Sequence, residues 1–530
     1  MYEIILRGGT VIDGTAAAAF CADIAIEKGK IAAVGDLSGA QARQSISAAG
    51  RVVTPGFIDI HRHADAAAFR PGFGAPELSQ GLTTIVNGNC GLGAAPFGTA
   101  HGEAIRAYLA PILGQIGEQV PTESLAAYFA ALPPLPVSVG MLAGGGILRA
   151  DTAGYEKERL DRGDCAAIHR KMEQALSDGA LGISLGLGYA PECFYTTQEL
   201  IRALAPLRGT DIPLTVHMHQ EGSGVVESVE EMMTVAGALR CPVHISHLKA
   251  MGRENWGKKI PRALEVLHRA KEEGLDVSCD VYPYTAGSTQ LLHILPPDFL
   301  TGGLDAVVHR LQDPGARREL ARRIETGEGF DNIARLAGWD GIYLTSLASR
   351  ENQRYQGKSI AQIARERGSS PLNTCCDLLA QERGQITMID FMASEEDILT
   401  ILQDPLSHLI SDSTYPTEGQ PHPRVYGTFA RMLQHFVVEK KALPLEMAVA
   451  KMTSLPARAL HLRGKGIIAP GMDADLCIFA PENIRERGTY EDPCRCAEGM
   501  ELVLVGGEIA LENGKMTARR AGKAVKRNVE

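Results

Sequence analysis

The sequence predicts an α/β protein: a (β/α)8 TIM barrel, a small β-sandwich built from both chain ends, and a lid-like insertion after the seventh barrel strand. Three observations predict it. Short apolar runs alternate with amphipathic stretches through the middle of the chain, β-hairpin grammar fills both ends, and polar residues able to bind metal close several of the apolar runs.

The first fifty residues read as strands and turns: "EIILRGGTVIDG", "ADIAIEKGKIAAVG" and "QSISAAGRVVTPG" alternate β-branched residues between glycines. The same grammar returns in "DADLCIFAP" and "MELVLVGGEIALENGK". Residues 1–54 and 464–530 are therefore expected to form the sandwich, with the barrel spanning 55–463. Within that middle, "GFIDIH", "GLTTIVNG", "PVSVGMLAG", "GALGISLGL", "PLTVHMH", "PVHISHLK", "DVSCDVYPY" and "HLISD" are the eight strand candidates. Stretches such as "RKMEQALSDG" and "IPRALEVLHRAKEEG" supply helices between them, and strand–helix alternation implies a parallel sheet. An excess segment at about 298–352, rich in charged helix formers, lies between the last two strands and so beside the barrel mouth.

At 530 residues the chain exceeds one ordinary core, and 45% hydrophobic with 22% charged residues is the composition of a soluble globular protein. A formal net charge of -10 opposes general binding to nucleic acid or anionic membranes. "MYEIILRGG" has none of the marks of a secretory leader, and no apolar run reaches membrane-spanning length. Eleven scattered cysteines fit free thiols in a reducing cytoplasm. Cys494 and Cys496 form a single Cys-x-Cys pair, too little to define a metal site.

In "FIDIHRH" the alternation puts His61 and His63 on one face of a strand. Continuing along the strand ends gives Cys90, His217 with His219, His247 and Asp412. Imidazole, thiolate and carboxylate are the ligands of zinc. A zinc ion with an open position brings the pKa of bound water down to roughly 7 and polarises a carbonyl, so hydroxide becomes available at neutral pH. Asp412, in "LISDS", stands where it can accept that water's proton and pass it to a leaving nitrogen. Spacing does not separate His217 from His219, which share a face. His244 is three residues from His247 and points oppositely, so His247 is the expected ligand and His244 is expected to pack against a helix.

These residues lie in segments that resemble the amidohydrolase superfamily and, within it, the N-acyl-D-amino-acid deacylases (D-aminoacylases). The resemblance runs through "GGTVIDG", "TPGFIDIHRHAD", "NCGLGAAP", "PVHISHLKAMGRENWG", "DVYPYTAGST", "HPRVYGTFARML" and "GIIAPGMDADLCIF". It implies that Cys90 takes the bridging place that a carboxylated lysine fills in many relatives, and no lysine stands in "GALGISLGLGY". It implies a tight zinc site of Cys90, His217 and His247, and a weaker second site of His61, His63 and Asp412, with Asp412 as catalytic acid/base. It places the substrate-carboxylate contacts at Lys249, Tyr282, Ser288 and Arg424, with Tyr282 also able to polarise the scissile carbonyl.

The chain departs from the family pattern on mouth-side loops. His219 stands where the family has arginine, Gly144 or Gly145 where it has histidine, and "GISLGLGYAPECF" replaces "GLSTGLAYPP". Losing a permanent charge and a bidentate fork at His219 bears on which side chain the substrate carries. The expected activity is zinc-dependent hydrolysis of a linear non-peptide amide, an N-acyl-D-amino acid, by a small-molecule enzyme of the cytoplasm. The alternatives are opening of a cyclic amide, as in hydantoinases and dihydroorotases, and a non-catalytic interaction protein on the same scaffold.

Overall fold

The computed structural model describes residues 1–327, 329–416 and 418–527. Strands from both chain ends share one nine-stranded sheet. Its join is Val52–Pro55, which runs parallel to Tyr2–Val11 on one side and antiparallel to Leu476–Phe479 on the other. The hairpins have the turns their residues demand. Lys28–Gly29, Gly506–Gly507 and Asn513–Gly514 all take positive φ, as two-residue hairpins with the right twist require. One face of the sheet buries Ile4, Leu6, Ile24, Ile26, Leu476 and Leu504 in a core of its own.

The barrel strands are Phe57–Asp59, Leu82–Asn87, Ser138–Met141, Ile183–Gly186, Leu214–His217, Val243–Ile245, Val277–Val281 and Ser407–Leu409. Their pairings are parallel throughout. Two seams complete the ring. Between the third and fourth strands, the short Ala143–Gly144 segment pairs with Ile183–Gly186. Ala524–Val525 leaves the terminal β-region and pairs with Ser138–Met141, so this short strand packs on the barrel. Between the eighth and first strands, His63 N donates to Ser413 O at 2.9 Å and Asp412 N to His61 O at 2.9 Å. That seam sets Asp412 beside the His61–His63 pair.

Helices cover the outside, and local sequence starts them. Asp161 caps Arg162–Ser177 by accepting from Gly163 N and Asp164 N, and Asp313 caps Pro314–Thr326 through Ala316 N. The chain between the seventh and eighth strands carries more than charged helices. It includes a three-stranded antiparallel sheet of Ala286–Gln290, Ile342–Leu347 and Ile386–Phe391, within which the helices of 298–352 form one part. Asp331 fastens this insertion to the loop after the fifth strand, accepting from Glu221 N at 2.6 Å and Gly222 N at 2.9 Å. Among the described residues no helix is long and apolar enough to cross a membrane.

Candidate metal centre

The site starts from backbone that turns sharply where strands end. Cys90, His247 and Asp412 have φ of 54°, 36° and 52°, in the left-handed region that side chains rarely adopt. Each is held there. An Asp280 carboxylate oxygen accepts the His247 amide, and Asp280 O takes Leu248 N at 2.8 Å. Asp412 is pinned by the seam bond to His61. After Cys90, Gly91 N donates to Ser184 Oγ at 3.1 Å. A Cβ on Gly186 would lie 2.0 Å from Cys90 O, so only glycine lets the fourth strand approach this turn.

His61 and His63 point inward from the first strand's end, as alternation requires, and Arg62 between them points the other way. Its guanidinium meets Asp59 at 3.2 Å and Glu77 at 2.9 Å, all buried. Asp59 also accepts from Ser411 Oγ at 2.5 Å, which ties the first strand to the eighth.

The ligand atoms converge. His61 Nε2 lies 3.1 Å from Cys90 Sγ and 3.4 Å from Asp412 Oδ1, while His63 Nε2 lies 3.3 Å from the same oxygen. His247 Nε2 is the hub, 3.5 Å from Cys90 Sγ and 3.1 Å from His217 Nδ1. One donor atom each from His61, Cys90, His247 and Asp412 falls within 4.8 Å of the others, all buried. Burial, reinforced by Asp412 and Glu221, pushes the Cys90 thiol far up, and burial pushes His61 and His217 far down. Burial opposes ionisation of Asp412, but Arg424 and His63 hold its carboxyl well below the usual range. Nitrogen, sulfur and carboxylate donors facing one another at this spacing fit a divalent ion of borderline softness, as zinc is. Nδ1 of both His61 and His63 is buried without a hydrogen-bond partner.

Around this cluster lie the residues expected to hold a carboxylate. Arg424 reaches Asp412 Oδ2 at 3.0 Å with one terminal nitrogen and donates to Ser288 O at 3.0 Å with the other, its guanidinium 4.9 Å from the Tyr282 ring centre. Ser288 thus meets Arg424 through its backbone carbonyl. Lys249 Nζ is 2.6 Å from Glu221 Oε2. Tyr282 is buried, and burial raises its hydroxyl pKa. His219 turns sideways, Nδ1 2.7 Å from Glu231 Oε2, and lines a small cavity of about 80 Å³ with His293, Leu295 and Phe330.

Sequence reasoning passed over Glu221, Asp280 and Glu192. Glu221 was visible only as the acid four residues after His217, and Asp280 as a polar break in "DVSCDVYPY". Glu192 explains two departures together: a Cβ on Gly145 would come within 2.6 Å of its Oε1, so a side chain at that glycine would need the space Glu192 fills. His244 does not seek a helix surface. It bonds Ser278 Oγ at 2.8 Å and Asp280 Oδ2 at 2.6 Å, and its ring stacks on His408 at 4.7 Å, because neighbouring strands offer it polar partners.

Comparison with known proteins identifies the family. Residues 44–511 match the amidohydrolase family. A D-aminoacylase of Alcaligenes xylosoxydans xylosoxydans is 33% identical over 99% of this chain and 98% of its own. An N-acyl-D-glutamate deacylase of the same organism is 33% identical over 95% of this chain and 93% of its own. The crystal structure of an N-acyl-D-glutamate deacylase from Bordetella bronchiseptica, complexed with zinc and a phosphonate inhibitor mimicking the tetrahedral intermediate, superposes with a TM-score of 0.83. It is 30% identical and covers 99% of this chain and all of that one. The chain belongs to the amidohydrolase family, with that family's TIM barrel and β domain.

Proposed function

We propose that this amidohydrolase is a zinc-dependent deacylase that hydrolyses an N-acyl-D-amino acid to a carboxylate and the free D-amino acid. One observation carries the reading: a buried cluster of four imidazoles, one thiol and one carboxylate lies beside Arg424, Tyr282 and Lys249, the groups an α-carboxylate and a scissile carbonyl need. The named relatives act on this substrate class, and they match nearly end to end.

Cys90, His217 and His247 would hold one zinc ion tightly. His61, His63 and Asp412 would form a weaker second position, with Cys90 shared between the two, as its 3.1 Å approach to His61 and 3.5 Å approach to His247 suits. When bound, zinc supplies a Lewis acid that acidifies water and draws charge from a carbonyl oxygen. The chain's own residues do the rest. Asp412, kept ionised by Arg424 and His63, takes a proton at Oδ1 from the attacking water and returns it to the leaving nitrogen. Tyr282, whose raised pKa keeps its proton, donates to the developing oxyanion. Arg424, Lys249 and Ser288 hold the substrate carboxylate, and His219 borders the cavity available to the variable part of the substrate.

We place the two chain ends, 1–54 and 464–530, with the β domain and 55–463 with the barrel, except that Ala524–Val525 pairs with the barrel strand Ser138–Met141. The cytoplasm is the fitting compartment for eleven cysteines that are all unpaired. A Cys90→Ala variant tests the site: zinc content and amine release should fall together, and full activity in that variant would refute the assignment.

A further inference from the structure

Glu221, a buried acid beside the expected metal ligands, has no part in the roles assigned above. Glu221 follows the fifth strand, and its carboxylate lies behind both imidazoles of the tight site. Oε1 is 2.9 Å from His247 Nδ1; Oε2 is 3.8 Å from His217 Nε2 and 2.6 Å from Lys249 Nζ. The opposite nitrogens face the centre: His247 turns Nε2 to Cys90 at 3.5 Å, and His217 turns Nδ1 to His247 at 3.1 Å. The loop bearing Glu221 is fixed from two sides, by Asp331 of the insertion on its amides and by Met251 N donating to Glu221 O at 2.8 Å.

We propose that Glu221 is a positioning residue that orients His247 toward the metal and Lys249 toward the substrate carboxylate at once, joining the two halves of the site through one side chain. A neutral imidazole can offer its Nε2 lone pair only when its proton sits on Nδ1, and an acceptor beside Nδ1 fixes that tautomer. Lys249 Nζ lies 3.0 Å from the same Nδ1, close enough to donate to it, so that nitrogen has two possible protonation arrangements, and a carboxylate oxygen 2.9 Å away favours the one that keeps the proton on Nδ1. Glu221 offers one oxygen to each. His217, His247 and Glu221 also gather closely enough to suggest a metal triad. That arrangement would turn His247 away from Cys90 and set a cation against an ammonium already 2.6 Å from Glu221 Oε2.

The inference rests on the zinc reading, and the test separates the two. Zinc affinity of the full-length protein, measured by competition with a chromophoric chelator, is compared among wild type, Glu221→Gln, Glu221→Asp and Lys249→Met, with kcat and KM on an N-acetyl-D-amino acid measured alongside. Glu221→Gln should weaken zinc binding by about 10–100-fold and raise KM. Glu221→Asp should recover part of both, while Lys249→Met raises KM and leaves zinc affinity alone. Wild-type zinc affinity in Glu221→Gln would overturn the inference. Loss of one whole zinc equivalent in Glu221→Gln would also overturn it, by making Glu221 a ligand. A wild type that binds no zinc would overturn the zinc reading itself.

Discussion

Among the described residues the barrel holds two buried histidine–carboxylate clusters, and their ring nitrogens are partnered differently. The upper one joins His61, His63, Cys90, His217, His247 and Asp412. The lower one joins His244, Asp280 and His408, whose donor atoms also lie within 4.8 Å of one another. In the lower cluster His244 spends both ring nitrogens on Ser278 and Asp280, and it lies nearly parallel to His408, 15° between planes. In the upper cluster the rings cross at 49° to 76° and turn nitrogens and sulfur toward one point. Counting ligand types does not distinguish them; the partner of each ring nitrogen does.

The comparison can be broken at its strongest point first. Asp412→Asn keeps the shape of the upper cluster but removes the base, so kcat should fall by about 10²–10⁴ while the tight zinc equivalent remains. An unchanged kcat would remove Asp412 from the chemistry. Arg424→Lys should raise KM by about 10–100-fold, because one charge-assisted fork becomes a point charge; steady-state kinetics at saturating zinc decide it. At the lower cluster, His244→Leu leaves an Asp280 oxygen without its partner. Zinc stoichiometry should hold while stability drops by about 1–3 kcal/mol, read by denaturant unfolding. Loss of zinc in that variant would mean the two clusters are not separate.

The smallest effect sharpens the contrast outside both clusters. Glu192 accepts Gly186 N at 2.6 Å, and burial raises its pKa to about 7 from an ordinary 4.5. An acid with a raised folded-state pKa favours the fold while protonated and loses that contribution as pH climbs from about 4.5 through 7. Wild type should therefore lose stability between pH 5 and 8, and Glu192→Gln should flatten that slope by roughly a few degrees of Tm. Equal slopes would place the ionisation of Glu192 elsewhere.

Much of this was legible in the sequence. Alternation in "FIDIHRH" placed His61 and His63 on one face, and the hairpins announced themselves at "EKGK", "VGGE" and "ENGK". Polar residues closing apolar runs pointed to Cys90, His247 and Asp412, and the seam between first and eighth strands brings Asp412 to the histidines. What could not be read depends on contacts between distant segments. Asp331 and Glu221 are 110 positions apart, and their bond exists only once the insertion docks. Glu231, which turns His219 aside, is twelve residues on, in the helix Val225–Leu239. Gly145 and Glu192 are separate departures in the sequence and one packing event in the fold.

The central claim is that the upper cluster, loaded with zinc, releases an amine from N-acyl-D-amino acids. Its most direct test is amine release by metal-stripped protein titrated with zinc, using paired N-acetyl-D- and N-acetyl-L-amino acids that differ only in side chain. The account predicts turnover that rises with the first zinc equivalent and is confined to the D series. Stoichiometric zinc binding without turnover of either series would contradict it.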